Sequence, residues 1–399
     1  MPEQALSDIK VLDLTWYIAG PYCTKLLADY GAGVIKVERP GTGDPARRLG
    51  PFLGDDPHPE KSGLFLHLNT NKRGITLNLK AETGKKILKE LVKDADILVE
   101  SFSPGAMERL GLGYEELEKL NPKLVMTSIS NFGQTGPYRD FKASDLILYG
   151  MGGQMYDNGV PERHPVKEAG TVIQYQGGNH AAAATTVALF ASRLQGVGQQ
   201  VDISIFQTQA GSVDRRMGCL INHQYNKEIN PRLGPGSMGI PYGAYPCKDG
   251  YFDLAGGLAF WPRIARMLGR PDLVSDPRWA TGEGQARAES REEFSAIFLP
   301  WLMEHTKKEC VDAGQAAGVL CATVCNTEDL LSDPHWRARE FWAEMEHPVT
   351  GKLTYPGAPA KMTETPWRAR RPAPLLGQHN EEVYGALGYT REELVKLRE

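Results

Sequence analysis

Seven cations, Arg39, Arg47, Arg48, Lys72, Arg73, Arg109 and Lys142, stand on or near three loops rich in glycine and proline. The loops are "TWYIAGPY" (15–22), "ESFSPGAMERLG" (100–111) and "SNFGQTGPY" (130–138). Glycine lets a ligand come close to the backbone, and helix N-termini attract phosphate, so the combination points to a small phosphorylated anion. Any one of these charges taken singly reads better as a solvated loop side chain; the grouping is what carries weight. A further stretch, "GTVIQYQGG" (170–178), precedes the small-residue run His180–Ala184. Its polar side chains are amides and a phenol, with no thiol, carboxylate or base to act as nucleophile or proton carrier.

Several common chemistries lack their parts. No G-x-G-x-x-G follows the first strand and there is no Walker A loop, while "GPGSMG" has the wrong spacing for a serine-hydrolase elbow. There is no H-E-x-x-H and the nine histidines are scattered, so no metal is expected. The six cysteines show no paired spacing, and Cys321 and Cys325 have no second pair nearby, so each is expected to be a buried structural thiol. A net charge of -4 leaves no basic excess for a nucleic-acid backbone. The first ten residues hold no apolar signal core, and the most apolar stretch, 180–191, is too short to span a bilayer. A cytoplasmic location is expected.

The elements that must position these residues alternate. Strands are expected at 11–15, 34–38, 74–79, 96–101, 123–130 and 199–206. Helices are expected at 21–30, at 82–95 with Thr83 as N-cap, at 115–120, from an Asn179 cap to about Leu194 before Gly196, and onward to about Tyr225. This rhythm predicts an α/β fold with a mostly parallel sheet covered on both faces. The 399 residues suffice for two domains, and the punctuation "PRLGPGSMGIPYG" (231–243) marks a change between them.

Longer segments carry a resemblance. "AGPYCTKLLADYGAGVIKVERPGTGD" (19–44), "NTNKRGITLNLK" (69–80), "PGAMERLGLGYEEL" (104–117), "SISNFGQTGPY" (128–138), "GVGQQVDIS" (196–204), "GIPYGAYPCKDGYFDLA" (239–255), "DPHWRARE" (333–340) and "LLGQH" (375–379) run in one order along nearly the whole chain. Together they resemble the class III CoA-transferases, the family of formyl-CoA and carnitine CoA-transferases and α-methylacyl-CoA racemase. The resemblance implies a Rossmann-like large domain built from both chain ends, a smaller inserted domain, and two subunits interlocked like links. On that pattern 1–205 begins the large domain, 206–230 is a linker helix, 231–325 is the small domain and 326–399 returns to the large one. It implies CoA contacts at Ile18, Ala19, Arg39, Lys72, Arg73, Met107, Arg109 and Tyr138, and a glycine loop of Gly234, Gly236 and Gly239 over the thioester. Coenzyme A and acyl-CoA enter as substrates, and no permanently bound cofactor is implied.

The family mechanism needs a carboxylate. An Asp attacks the acyl-CoA thioester, giving a mixed anhydride and CoA thiolate; the thiolate then takes the aspartyl carbonyl and releases the first acid. Counting back from Gly198-Gln199, with Gly178 as the glycine four residues after the nucleophile, places Gln174 at that Asp. A neutral amide cannot form the anhydride. Asp157 and Glu168 are the nearby acids, Glu168 being the weaker stand-in because it would need a local rearrangement. Ser144 replaces the racemase branch's histidine before Asp145, and Ile18 stands where related transferases often have a polar residue. The resemblance therefore implies a subunit without its own nucleophile, as in heteromeric benzylsuccinate CoA-transferase. It would be partnered by an Asp-bearing paralogue acting on an organic acid, an aromatic acid or other dicarboxylate being candidates. Trp16, Tyr17, Tyr149, Tyr156 and Tyr175 would shape the acid pocket, or simply pack. The alternatives are a homo-oligomeric acyl-CoA enzyme with changed chemistry, a lyase or isomerase, and a non-enzymatic acyl-CoA binder.

Overall fold

Apolar runs in which nearly every residue is buried make the centre of this fold, as expected for a parallel sheet covered on both faces. The computed structural model describes residues 4–211, 214–233 and 239–396. Six strands, β1 (Lys10–Leu14), β2 (Gly33–Glu38), β3 (Arg73–Thr76), β4 (Ile97–Glu100), β5 (Val125–Ser130) and β6 (Gln199–Ser204), pair in parallel. Their order is β3-β2-β1-β4-β5-β6. The chain winds outward from β1 to β3 and then crosses back to β4, so β1 and β4 flank the point where winding reverses. Ligands of open α/β sheets gather there, beyond the strands' carboxyl ends.

The helices described in this part of the chain are α1 (Ala19–Asp29), α2 (Gly63–Leu68), α3 (Glu82–Val92), α4 (Ala106–Arg109), α5 (Tyr114–Leu117), α6 (Asp145–Met151), α7 (Gln154–Asp157), α8 (Val172–Gln195), α9 (Ile205–Gly211) and α10 (Asp214–Asn226). Two starts differ from expectation. α8 begins at Val172 with Thr171 at the cap position, not after Asn179, which lies exposed inside the helix. Gly177 and Gly178 do not break the helix; they let it press on its neighbours. A Cβ on Gly178 would stand 2.6 Å from the Ala19 carbonyl oxygen, closer than packing allows. Likewise α3 is preceded by Ala81 rather than capped by Thr83, and Gly84 lies against the Asn78 carbonyl, 2.1 Å from where its Cβ would be.

The contacts divide the chain into two compact units. One comprises Met1–Met155, Lys167–Glu228 and Ala338–Glu399; the other comprises Tyr156–Val166 and Ile229–Arg337. Within the expected 206–230 linker helix the described residues of α9 and α10 are helical and belong to the first unit, which the chain re-enters at Ala338. The second unit holds an antiparallel sheet, β7 (Tyr242–Cys247), β8 (Gly250–Ala255) and β9 (Leu320–Thr323), over a core that includes Trp261, Trp279, Phe294 and Phe298. The hairpin β10 (Trp342–His347) and β11 (Gly351–Pro356) belongs to the first unit, where Met345 and Tyr355 pack with Phe65 and Leu66. Among the described residues no helix is long and apolar enough to cross a membrane, and no cluster of His, Cys, Asp and Glu could hold a metal ion.

Under the loops at the crest of β1 and β2 runs a chain of buried charges. Lys72 is fully buried, and its ammonium donates to Asp13 Oδ2 (2.9 Å), the Pro21 carbonyl (2.8 Å), Thr24 Oγ1 (2.8 Å) and Asn69 Oδ1 (3.0 Å). Burial would raise the Asp13 carboxyl, but the Lys72 and Lys36 charges and the Thr15 and Thr24 hydroxyls outweigh it and hold the pKa at about 2. Lys36 pairs with Asp44 Oδ2 at 2.9 Å and donates to the Thr15 carbonyl at 2.9 Å. Arg47 forks onto Glu38 at 2.7 and 2.8 Å, reaches Glu60 at 2.6 Å, and donates to the Pro374 carbonyl at 3.0 Å. Removing one member of such a pair strands a dehydrated charge. Lys72→Met is expected to cost about 3–5 kcal/mol in stability, read by denaturant unfolding, whereas a surface change such as Lys119→Met stays within about 0.5 kcal/mol.

Candidate functional site

The buried charges shape the crest above them. Asp13 accepts the Thr15 amide at 3.0 Å and Asp44 accepts the Tyr17 amide at 3.1 Å, so the loop after β1 is held from below. Tyr17 adopts φ 64°, a conformation uncommon for a residue with a side chain, and its ring is left exposed. Across the switch point the Trp16 amide donates to Ser101 Oγ at 2.9 Å. The Trp16 ring meets Phe102 edge-on at 5.7 Å, and the Arg39 guanidinium lies 4.9 Å over the Trp16 ring.

α1 starts directly beyond this loop, with Ile18 at its cap position and Ala19 as its first residue, both buried. Neither α1 nor α8 has a side-chain cap or an acid in its first turn. Their leading N–H groups and positive dipole ends therefore meet no capping side chain and no acid of their own first turn, a setting suited to an oxyanion. The two helices lie together at Gly178 and Ala19, and again where Tyr22 meets Tyr175 edge-on at 4.8 Å. Gln174, in the first turn of α8, shares a helix face with Gly178. It is half-buried, and none of the described residues hydrogen-bonds its side-chain amide. Gln176 belongs to an amide relay instead: Gln154 donates to Gln209 at 2.8 Å, Gln209 to Gln176 at 3.1 Å, and Gln176 to the Thr208 carbonyl at 3.3 Å. His67 lies 6.5 Å from the Tyr175 ring, and burial pulls its pKa down to about 4, so it is neutral at physiological pH.

The structure sorts the expected ligand residues. Lys72 and Arg47 are fully buried and committed to the charge chain; neither has a donor left for a phosphate, a correction to their reading as ligand-facing cations. Met107 is a core residue, 2% exposed. Arg73 pairs with Glu382 at 2.9 Å, and Arg48 donates to the Thr42 carbonyl at 2.6 Å. Arg39, Arg109 and Lys142 are exposed and carry no described ion pair. Tyr138 is exposed beyond β5, 5.9 Å from Phe132 and 4.9 Å from Phe141. Glu168 is exposed on the segment before α8, and nothing described holds its carboxylate near Gln174; Asp157 is buried in α7. Lys167 pairs with Asp145 at 2.9 Å, occupying the acid that follows Ser144. Tyr149 is a buried residue of α6 and Tyr156 belongs to the second unit, while Cys325, expected to be buried, is exposed and Cys321 is half-buried. Gly234 and Gly236 lie outside the described residues. Gly239 has φ 105° and sits against Gly257 Cα, 2.6 Å from where its Cβ would be.

One cation escaped the sequence reading. Gly105, at φ 74°, is covered by two guanidiniums: its Cβ would stand 2.9 Å from Arg139 Nη2 and 3.1 Å from Arg109 Nη1. Arg139 Nε is buried without a partner. Two like charges held against one glycine, with Glu108 Oε2 4.0 Å from the same point and no described ion pair on either guanidinium, make a seat for an anion. The available signal was position alone, since Arg139 directly follows "GPY" (136–138). Arg109 also lines a cleft of about 690 Å³, and Pro40 and Gly41, just after Arg39, line another of about 810 Å³ with Leu77 and Asn78.

Comparison with known proteins agrees in length and in fold. Residues 6–380 match CoA-transferase family III. Succinyl-CoA--D-citramalate CoA-transferase of Chloroflexus aurantiacus is 35% identical over 100% of this chain and 98% of its own. The BbsE subunit of succinyl-CoA:(R)-benzylsuccinate CoA-transferase of Thauera aromatica is 32% identical over 99% of this chain and 97% of its own. The crystal structure of a CAIB/BAIF family protein from Brucella suis superimposes with TM-score 0.86 at 28% identity, covering 96% of this chain and 100% of that one. With an unbroken match along nearly its whole length, the chain is a member of CoA-transferase family III.

Proposed function

We propose that this chain is the nucleophile-lacking subunit of a heteromeric CoA-transferase that moves CoA between an acyl-CoA, such as succinyl-CoA, and an organic acid. The observation that carries the reading is Gln174, an amide at the head of α8 beside two uncapped helix starts, with no carboxylate of the described residues bonded to it. The similarity to BbsE, which its own name makes a subunit, supports it. So does an apolar stripe along α8: Val187, Phe190 and Leu194, at helical spacing, are 70%, 66% and 70% exposed, more apolar surface than a helix leaves to water without a partner. That surface suits the Asp-bearing paralogue.

On this reading Arg39, Arg109 and Arg139 hold the phosphates of CoA, and the free N–H groups of α1 and α8 face the thioester oxygen. Lys72 and Met107 act beneath the site rather than in it. The chemistry belongs to the paralogue, whose Asp oxygen takes the acyl carbon as the C–S bond breaks and whose carbonyl then receives the thiolate. Arg109→Ala and Arg139→Ala are each expected to weaken CoA binding at least about 10-fold, the loss of one charge-assisted contact, with less salt dependence in calorimetry. Gln174→Asp in the purified chain should yield an aspartyl-CoA adduct on incubation with succinyl-CoA, detected on the 172–195 helix by peptide mass spectrometry, where the unaltered chain shows none. Native mass spectrometry of the tagged complex from its host should find an Asp-bearing chain of the same family in equal amount; a homodimer that turns over succinyl-CoA unaided would overturn the reading.

A further inference from the structure

Glu100 is a buried carboxylate that the reading above leaves unused. It ends β4 at the switch point, in register with Leu14 of β1 and Ser128 of β5, and is 4% exposed. Its Oε2 accepts the Phe102 amide at 2.7 Å, and the Ser128 hydroxyl bonds to it. Gln200 Nε2 in turn donates to Ser128 Oγ at 3.2 Å. No described cation pairs with Glu100. The charged groups that bear on it are Glu108 from α4 and Asp202 from β6, both of like sign; β1 opposes it with apolar Leu14 and β5 with neutral Ser128. Burial first, and then those two carboxylates, hold its pKa up at about 7.

What Glu100 grips is the start of the loop that leads to Arg109. Phe102 packs on Trp16, whose ring carries Arg39, and Ser101 holds the Trp16 amide. We propose that Glu100 is a positioning residue whose state of ionisation sets how firmly the Ser101–Arg109 loop holds the anionic nucleotide end of acyl-CoA. The ligand named here rests on the CoA reading above; the grip on the loop does not. A neutral Glu100 still accepts the Phe102 N–H and places no charge under the loop. An ionised Glu100 adds a third carboxylate beside Glu108 and Asp202, dehydrated beneath a site that must take an anion. A carboxyl ionises as pH rises, so the hold is firm below about pH 7 and weakens above it.

The test compares the native complex with Glu100→Gln and Glu100→Ala versions at about pH 6 and about pH 8. Calorimetry reads CoA affinity, and hydrogen exchange of the 101–111 segment, corrected for intrinsic rate, reads the loop without ligand. Ionisation of CoA's own phosphates is common to all three proteins and drops out of the comparison. Relative to Glu100→Gln, the unaltered protein should lose about 5-fold in affinity between the two pH values, about 1 kcal/mol, while its loop exchange should fall, because the ionised carboxylate repels the anion but accepts the Phe102 N–H more strongly. Glu100→Gln should stay tight at both, and Glu100→Ala should be weak at both for want of an acceptor. Identical pH dependence of the unaltered protein and Glu100→Gln in both readouts overturns the proposal. A pH-responsive loop with no CoA binding at either pH overturns the CoA reading and leaves the positioning role standing.

Discussion

The pairing of Lys72 with Asp13 is the constraint from which the rest of the site takes its shape. Both groups are dehydrated, and two charges so placed are tolerable only if every lone pair and proton finds a partner. Asp13 meets that demand by binding the amide and hydroxyl of Thr15 as well as Thr24, and Lys72 by binding the Pro21 carbonyl and Asn69. These bonds fix the turn from β1 into α1. Lys36 and Asp44 continue the pattern and set Tyr17 in its unusual conformation. The direction of the α1 start, and through Gly178 the seat of α8, follow from how buried charges are satisfied several ångströms below the surface.

Seen this way, the two kinds of polar residue divide the labour. Groups inside the sheet's crest fix geometry through their many bonds, while Arg39, Arg109 and Arg139 above it have no carboxylate partner among the described residues. The head of α8 belongs to neither set. Its amides at Gln174 and Gln176 are neutral, its neighbour His67 is kept neutral by burial, and its dipole end is uncapped. A site of that character can orient and stabilise a thioester without being able to attack it, which is what the proposed division between two subunits requires.

Much of this was legible from the residues. The six strands and their alternation with helices follow from short apolar runs between turn residues, whereas the place given to Gln174 comes from the family resemblance and a count along one segment. The start of α8 was not legible, because a glycine that permits close packing and one that ends a helix look alike until the neighbouring helix is in place. Nor could Lys72 be told from Arg109: both are cations on glycine-rich stretches, and only the fold sends one inward to Asp13 and the other to the surface beside Arg139. Arg139 and Glu100 were overlooked for a related reason, their surroundings being assembled from β4, β5, β6 and α4, which are remote in sequence.

The charge chain also reaches residues 370–376. Arg47 donates to the carbonyl of Pro374, Glu60 accepts the Leu376 amide, Asn71 accepts the Arg370 amide, and Arg370 donates to the Ala28 carbonyl. Polar groups that flank the first strands thus find partners 299 to 342 residues away along the chain. Arg47 and Asn71 lack those bonds until residues 370–376 have been made, so the sheet unit is incomplete while only its strands have emerged from the ribosome. A nascent chain halted before residue 370 leaves Arg47, Glu60 and Asn71 short of the partners they have once folded.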